Sequence, residues 1–162
     1  MTLRRKVVEA PPGHPPASGT VVAGEQRILD AFEGARGEGR AALMPYMMAA
    51  YPDRETSLAV AAAYADSGAD LIELGVPFSD PLADGPTIHD AATKALAGGA
   101  TLADALAVCR SVADRVPVVL MVYSNMVLAQ GGAGKFAGLA AAAGASGAIV
   151  PDLPLGEAED VR

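Results

Sequence analysis

The sequence predicts an α/β protein in which short parallel strands alternate with helices, and three observations indicate this. Short apolar runs recur along the chain, and each is followed by a helical segment with its own start and stop residues. The runs show little polar/apolar alternation, which is typical of parallel strands covered on both faces. Polar residues gather directly after the runs, at the end of parallel strands where α/β folds bind ligands.

Composition limits the class of protein. The 162 residues are 51% hydrophobic, which suits one globular unit with a real core. The net charge of −7 is dispersed and no basic stripe is present, so we expect no nucleic-acid partner. No stretch approaches the ~20 apolar residues of a membrane span, and no secretory core follows the basic start. With Cys109 as the one cysteine, we expect a soluble, cytoplasmic protein.

The first predicted helix follows a segment of different character. Residues 1–24 are rich in proline and glycine without an apolar period, and predict a flexible extension. Residues 25–162 form the predicted folded domain. A short amphipathic helix is expected at about 25–33, ended by the glycines that begin at Gly34.

The repeating βα pattern begins near residue 41. The first strand is predicted at 43–50, and Asp53 is a suitable N-cap for a helix over 54–67. The second strand is expected at 71–76. Pro86 suits the first turn of the next helix, which the glycine pair at 98–99 ends.

The second half of the pattern repeats the first. Thr101 and Asp104 resemble a capping box that opens another helix, in which Cys109 is a small core residue. The third strand is expected at 116–123, a helix at 136–143 and the fourth strand at 148–151. The methionines at 44, 47, 48 and 121 lie in predicted strands and are expected in the core.

A barrel is favoured over an open doubly wound sheet. No Gly-x-Gly-x-x-Gly turn follows any strand, and the first strand leads instead into residues 50–53. The predicted fold is therefore a (β/α)8 TIM-barrel type with about the first four βα units present, since a whole barrel takes about 250 residues. Half a barrel leaves two strand edges open, which invites pairing or aggregation.

Glu73 is the most informative residue, because it interrupts the apolar run at 70–78. An ionised carboxylate there loses hydration unless it is paired or takes up a proton. Its pattern predicts a proton donor or acceptor with a raised pKa, and hence an enzyme. The structural alternative is a buried carboxylate paired with a lysine or arginine.

The run from residue 71 to 88, LIELGVPFSDPLADGPTI, resembles the signature of the tryptophan synthase alpha chain. Further matches are Pro45 with Tyr46, the segment VLMVYSN at 119–125 and the segment VPDLP at 150–154. The resemblance extends from about residue 25 to the end. His89, where the family commonly has Gln, and MAAY at 48–51, in place of Thr-x-Gly-Asp, depart from it.

The resemblance implies an activity and roles for five residues. Enzymes of this family cleave indole-3-glycerol phosphate to indole and glyceraldehyde 3-phosphate by a retro-aldol reaction. Glu73 would be the general acid/base, and Asp84 would hold the indole N–H. Tyr123 and Asn125 would line the pocket, with Tyr46 packed against the indole.

The resemblance also implies a partner. Pro77 and Asp80 would face a tryptophan synthase beta chain in an alpha2-beta2 heterotetramer. We expect no metal and no cofactor on this chain, since pyridoxal phosphate belongs to the beta partner.

Alternatives remain beside these roles. Asp84 could cap the helix that starts near Pro86, Asp80 could stabilise the loop turn, and Asp152 could cap whatever follows the fourth strand. The family's phosphate-binding loops lie outside the matched half, so we expect little activity from this chain alone. Two other functions are another phosphosugar-binding barrel lyase or isomerase, and a non-catalytic half-barrel module that docks on a beta subunit.

Overall fold

The computed structural model describes residues 23–154 as one parallel sheet with helices against it. The elements in chain order are α1 Ala23–Gly37, β1 Tyr46–Met48, α2 Arg54–Asp66, β2 Ile72–Gly75, α3 Pro86–Ala97, α4 Leu102–Val112, β3 Val118–Met121, α5 Ser124–Ala129, α6 Ala133–Ala142 and β4 Gly147–Ile149. The predicted extension over residues 1–22, and the end of the predicted domain at 155–162, lie outside the described residues.

The sheet has the order β1-β2-β3-β4, with every neighbouring pair parallel. Strands that are neighbours in sequence and in space, joined by helices, are what successive βα units produce. In the register, Glu73 of β2 lies opposite Tyr46 of β1 and Val119 of β3. The α/β prediction is therefore confirmed, and β1 and β4 are the outer strands of the described sheet.

Successive side chains of the strands point to opposite faces, and the two faces differ. One face packs against the helices and forms the main core, which includes Ile72, Leu74, Val118 and Leu120. Glu73 lies on the other face, in register with Tyr46 and Val119. This second face is the one that a closed barrel encloses, and we call it the inner face.

Three predicted helix starts are confirmed, two of them by side-chain hydrogen bonds. Asp53 accepts a hydrogen bond from the Thr56 amide at 2.8 Å, as an N-cap should. Thr101 and Asp104 form both halves of a capping box. Pro86 occupies the first turn of α3. These local signals position the loops that connect strand ends to helix starts.

Three expectations were wrong in detail. Helix α1 begins at Ala23, inside the predicted extension, and continues through Gly34 to Gly37. The Gly34 carbonyl accepts the Glu38 amide at 3.1 Å and the neighbouring Ala35 is buried, so the helix continues past a residue of low helix propensity. Met44 precedes β1 and is 45% exposed, so it is not a core residue. Helix α5 was not predicted, since its six residues are too few to show a helical period.

Ala50 stands where the family's Thr-x-Gly-Asp pattern has glycine, and its backbone conformation shows why glycine suits this position. Its φ is +56°, a left-handed conformation that costs a residue with a Cβ roughly 1–2 kcal/mol. The amide of Ala50 donates to the fully buried hydroxyl of Ser57 at 3.1 Å, which holds the turn in place. The turn after β1 therefore keeps its shape without the glycine.

None of the described helices is long and apolar enough by itself to cross a membrane. The bent pair of α3 and α4 passes the same test together, on length and composition alone.

We expect Asp70→Asn to destabilise the fold in a pH-dependent way. The carboxylate binds the Arg40 guanidinium through two bonds of 2.6 and 2.8 Å and accepts the Leu43 amide at 2.7 Å, which anchors the start of β2. The Arg40 guanidinium, followed by the Leu43 amide, lowers the pKa of Asp70 to about 2. Because the folded pKa lies below the unfolded value, this stabilisation is present above about pH 4 and is lost as the pH falls towards 2.

Urea unfolding at pH 7 should show a loss of about 1 kcal/mol for Asp70→Asn, allowing for the exposure of Arg40. The difference from wild type should shrink at pH 3. Asp66→Asn is the matched control, because the Asp66–Arg115 ion pair is exposed on both sides and should contribute little. Equal losses at the two pH values would contradict this assignment.

Candidate active site

Four predicted residues lie near one another, on the inner face and just beyond the carboxyl ends of the strands. Tyr46 comes from β1, Glu73 from β2 and Tyr123 from the end of β3, while Asp84 comes from the loop between β2 and α3. Parallel strands bring their carboxyl ends to one edge of the sheet, so residues distant in sequence become neighbours. The sequence predicted this clustering.

Glu73 is partly buried on the inner face. Burial raises its pKa, and the nearby charge of Asp84 acts in the same direction. No lysine or arginine forms an ion pair with Glu73 within residues 23–154. The structural alternative of a paired carboxylate is therefore wrong for the described part of the chain, and the predicted direction of the pKa shift is confirmed.

Asp84 is partly buried near the end of the acidic loop, which we define as residues 78–85. The N-cap of α3 is Gly85, and no side chain caps this helix. The alternative that Asp84 caps α3 is therefore wrong. Its charge acts on Glu73 and on Tyr46.

Tyr123 is only 1% exposed and holds the acidic loop at two points. Its hydroxyl accepts a hydrogen bond from the Ala83 amide at 3.0 Å. Its ring stacks on Phe78 with centroids 5.1 Å apart and planes inclined by 27°. Burial raises the pKa of Tyr123, the Ala83 amide opposes that shift, and the Asp84 carboxylate adds to it.

Tyr46 brings a second hydroxyl to the site. This hydroxyl is buried and has no hydrogen-bond partner among the described residues. Burial raises its pKa, and the charges of Asp84 and Glu73 raise it further. The hydroxyl lies directly over Gly75, where an added Cβ would be only 2.1 Å away. Tyr46 therefore reaches from beside Glu73 towards Asp84.

The other predicted site residues lie around this group. Asn125 is exposed on α5. Pro77 is buried, whereas Asp80 is exposed and accepts a 2.5 Å hydrogen bond from the Ser79 hydroxyl. Leu82, at the tip of the acidic loop, is 89% exposed. The predicted roles of Asn125, Pro77 and Asp80 stay predictions.

Asp152 has a role that the sequence did not indicate. Its carboxylate accepts the Ser124 amide at 2.8 Å and the Ser124 hydroxyl at 2.7 Å. It therefore supports the start of α5 and links the ends of β3 and β4. The stacking of Phe78 on Tyr123 was also missed, although the sequence places both aromatic residues just after strands.

The remaining reactive side chains do not join the site. In the described part of the chain, no three His, Cys, Asp or Glu residues cluster as a metal site would require. Cys109 is fully buried, its thiol lies 3.4 Å from the Ala143 carbonyl, and burial raises its pKa to about 11. An apolar cleft of about 540 Å³ lies between α1, α6 and β4, and it contains none of the four site residues.

Comparisons with known proteins identify the class that this fold and site define. The family model of the tryptophan synthase alpha chain matches residues 32–162. The tryptophan synthase alpha chain of Acidiphilium cryptum is 52% identical over 136 residues, and that of Roseiflexus castenholzii is 52% identical over 137. These matches cover 82% and 83% of this chain, and 49% and 52% of the relatives.

Solved structures agree. Tryptophan synthase from Mycobacterium tuberculosis matches with a TM-score of 0.78 and 43% identity, over 82% of this chain and 52% of that one. The alpha subunit from Legionella pneumophila matches with a TM-score of 0.77 and 39% identity, over 83% and 52%. The fold is thus part of a TIM barrel. The chain belongs to the tryptophan synthase alpha chain family, and it spans about half the length of the curated relatives it matches.

Proposed function

We propose that this chain carries the acid–base half of a carbon–carbon lyase site that releases indole from indole-3-glycerol phosphate. The observation that carries this proposal is Glu73, a partly buried carboxyl with a raised pKa, next to Asp84 at the carboxyl end of the sheet. A site that holds one proton-donating carboxyl beside a charged one suits a reaction with a cationic intermediate.

The reaction needs one group to deliver a proton and then to remove another. Protonated Glu73 gives its proton to the indole ring carbon that bears the side chain. The resulting cation is stabilised by the Asp84 carboxylate at the ring N–H. Glu73 then takes the proton of the adjacent glycerol hydroxyl. A carbonyl forms, the carbon–carbon bond breaks, and its electron pair returns to the ring. Glu73 ends protonated, as it began.

The partner is part of the proposal. A tryptophan synthase beta chain, with its own pyridoxal phosphate, would dock on the acidic loop, where Asp80 and Leu82 are exposed. Family membership supports this partner, since a single exposed apolar side chain is normal on any protein surface. An alpha2-beta2 heterotetramer in the cytoplasm is the assembly that we propose.

A chimera tests the chemistry separately from chain length. Residues 23–154 would replace the matching part of the Acidiphilium cryptum alpha chain, and indole release from indole-3-glycerol phosphate would be followed by absorbance. We expect the chimera to release indole, and Asp84→Asn to lower kcat by about 10²-fold or more, as loss of one charge-stabilising group does. The 162-residue chain alone should be far slower. A well-folded chimera without indole release would refute the proposal.

The alternative of a non-catalytic docking module has its own outcome. In that case the 162-residue chain would alter the activity of an added beta chain, and the Asp84→Asn variant of this chain would alter that activity equally. Loss of indole release with retained docking supports the enzyme, because catalysis and docking then use different groups of the same loop.

A further inference from the structure

Tyr123 lies in the site but offers a ligand little surface. It is 1% exposed, and its ring is covered on one side by Phe78. A pocket-lining residue contributes through accessible surface, which Tyr123 largely lacks. Its contacts instead go to the two ends of the acidic loop, Phe78 at the beginning and Ala83 next to Asp84 at the end.

The hydrogen bond to Ala83 gives the Tyr123 hydroxyl a structural task. It accepts the Ala83 amide, and so fixes the peptide that immediately precedes Asp84. A phenol that accepts one bond still has its own proton to donate. The Asp84 carboxylate lies close enough for its charge to add to the rise in the pKa of this hydroxyl. One side chain therefore fixes the backbone next to Asp84 and lies near its carboxylate.

The geometry points to Tyr123 as a positioning residue that holds the acidic loop so that the Asp84 carboxylate faces Glu73. This inference rests on the proposed function, and it adds a residue that acts through Asp84 without contacting the reacting atoms. The consequence of this inference is that the Tyr123 hydroxyl keeps the acidic loop in one conformation. Without the hydroxyl, the Ala83 amide loses its acceptor, so the loop can carry the charge of Asp84 away from Glu73.

Tyr123→Phe isolates the hydroxyl, because it keeps the ring that stacks on Phe78. Two NMR measurements on the 162-residue chain need no catalysis. Hydrogen exchange should show about tenfold weaker protection of the Ala83 amide, the loss expected for one hydrogen bond. A pH titration of the Glu73 carboxyl carbon should show a lower pKa than in wild type, because one of the two causes of its rise is the nearby Asp84 charge.

Three variants make the titration specific. Asp84→Asn should lower the pKa of Glu73, as Tyr123→Phe does. In the double variant, Tyr123→Phe should add little to the effect of Asp84→Asn on this pKa, since both act through one charge. Tyr64→Phe is the matched control, because Tyr64 is partly buried against the core, outside the acidic loop. It should change neither the Ala83 protection nor the Glu73 titration.

Kinetics of the chimera complete the test. A positioning role predicts a roughly tenfold lower kcat for Tyr123→Phe with a nearly unchanged KM. A raised KM with unchanged kcat, or an unchanged Glu73 titration, would overturn the inference. The two proposals fail separately. If no variant releases indole but the NMR changes appear, Tyr123 still positions Asp84 and only the lyase proposal fails.

Discussion

Replacing Glu73 by glutamine should abolish indole release by the chimera and, at neutral pH, stabilise the fold. Glutamine keeps the size of the side chain but cannot act as a general acid or base near neutral pH. General acid–base catalysis contributes typically 10²–10⁴-fold, and Glu73 is proposed to act in both proton transfers, so we expect a loss of kcat of about 10³-fold or more. Indole formation at saturating substrate measures this loss.

The stability change has the opposite sign because the fold disfavours the charged form of Glu73. Burial, and then the Asp84 charge, raise the pKa of Glu73 in the folded chain. As the pH rises, the unfolded chain therefore loses this proton before the folded chain does, and stability falls through the interval between the two pKa values. Glu73→Gln removes this cost, so the variant should resist urea better than wild type at pH 7 and equally at pH 3.

The combination separates function from structure. If the carboxylate served packing or pairing, its substitution would destabilise the fold. If it is a catalytic group held against its solvation preference, its removal stabilises the fold. Glu33→Gln is the control, because Glu33 is exposed on α1 and should change neither activity nor stability. A Glu73→Gln variant that is less stable than wild type at pH 7 would contradict the assignment of Glu73 as a catalytic group.

The elements of the fold could be predicted where local chemistry decides them. Asp53, Pro86 and Thr101 mark helix starts through their own side chains, and each start is found where it was expected. Helix α1 was predicted too short because glycine has a low helix propensity, whereas the burial of Ala35 directly after Gly34 is not visible in a local pattern. Helix α5 was missed because its six residues are too few to show a helical period, and because Asp152, which supports its start, lies 28 residues away in sequence.

The site divides in the same way. Glu73 could be found from the sequence because a charged residue in an apolar strand is conspicuous by itself. The role of Tyr123 could not, because it depends on a hydrogen bond to Ala83, 40 residues earlier, and on a ring stacked on Phe78. Residue types indicate which chemistry is available, whereas contacts across strands decide which residues perform it and which only hold them.

Gly75→Ala should destabilise the fold and displace Tyr46 from the site. Gly75 is buried in β2, two residues after Glu73 and on the same face. A Cβ there would lie 2.1 Å from the Tyr46 hydroxyl and 2.8 Å from the ring carbon that bears it. The backbone of Gly75 pairs on both sides with β1 and β3, so the tyrosine must move. Overpacking of this kind costs typically 1–3 kcal/mol.

A double-mutant cycle shows whether the clash with Tyr46 is the cause. Tyr46→Leu removes both crowded atoms, so Gly75→Ala should cost at least about 1 kcal/mol less in that background, measured by urea unfolding. Gly138→Ala is the control for the same chemical change, because nothing lies within 4 Å of the added methyl group in α6. That variant should instead gain up to about 1 kcal/mol from the higher helix propensity of alanine. If Gly75→Ala costs the same with and without the Tyr46 ring, the strand itself, and not the tyrosine above it, requires glycine.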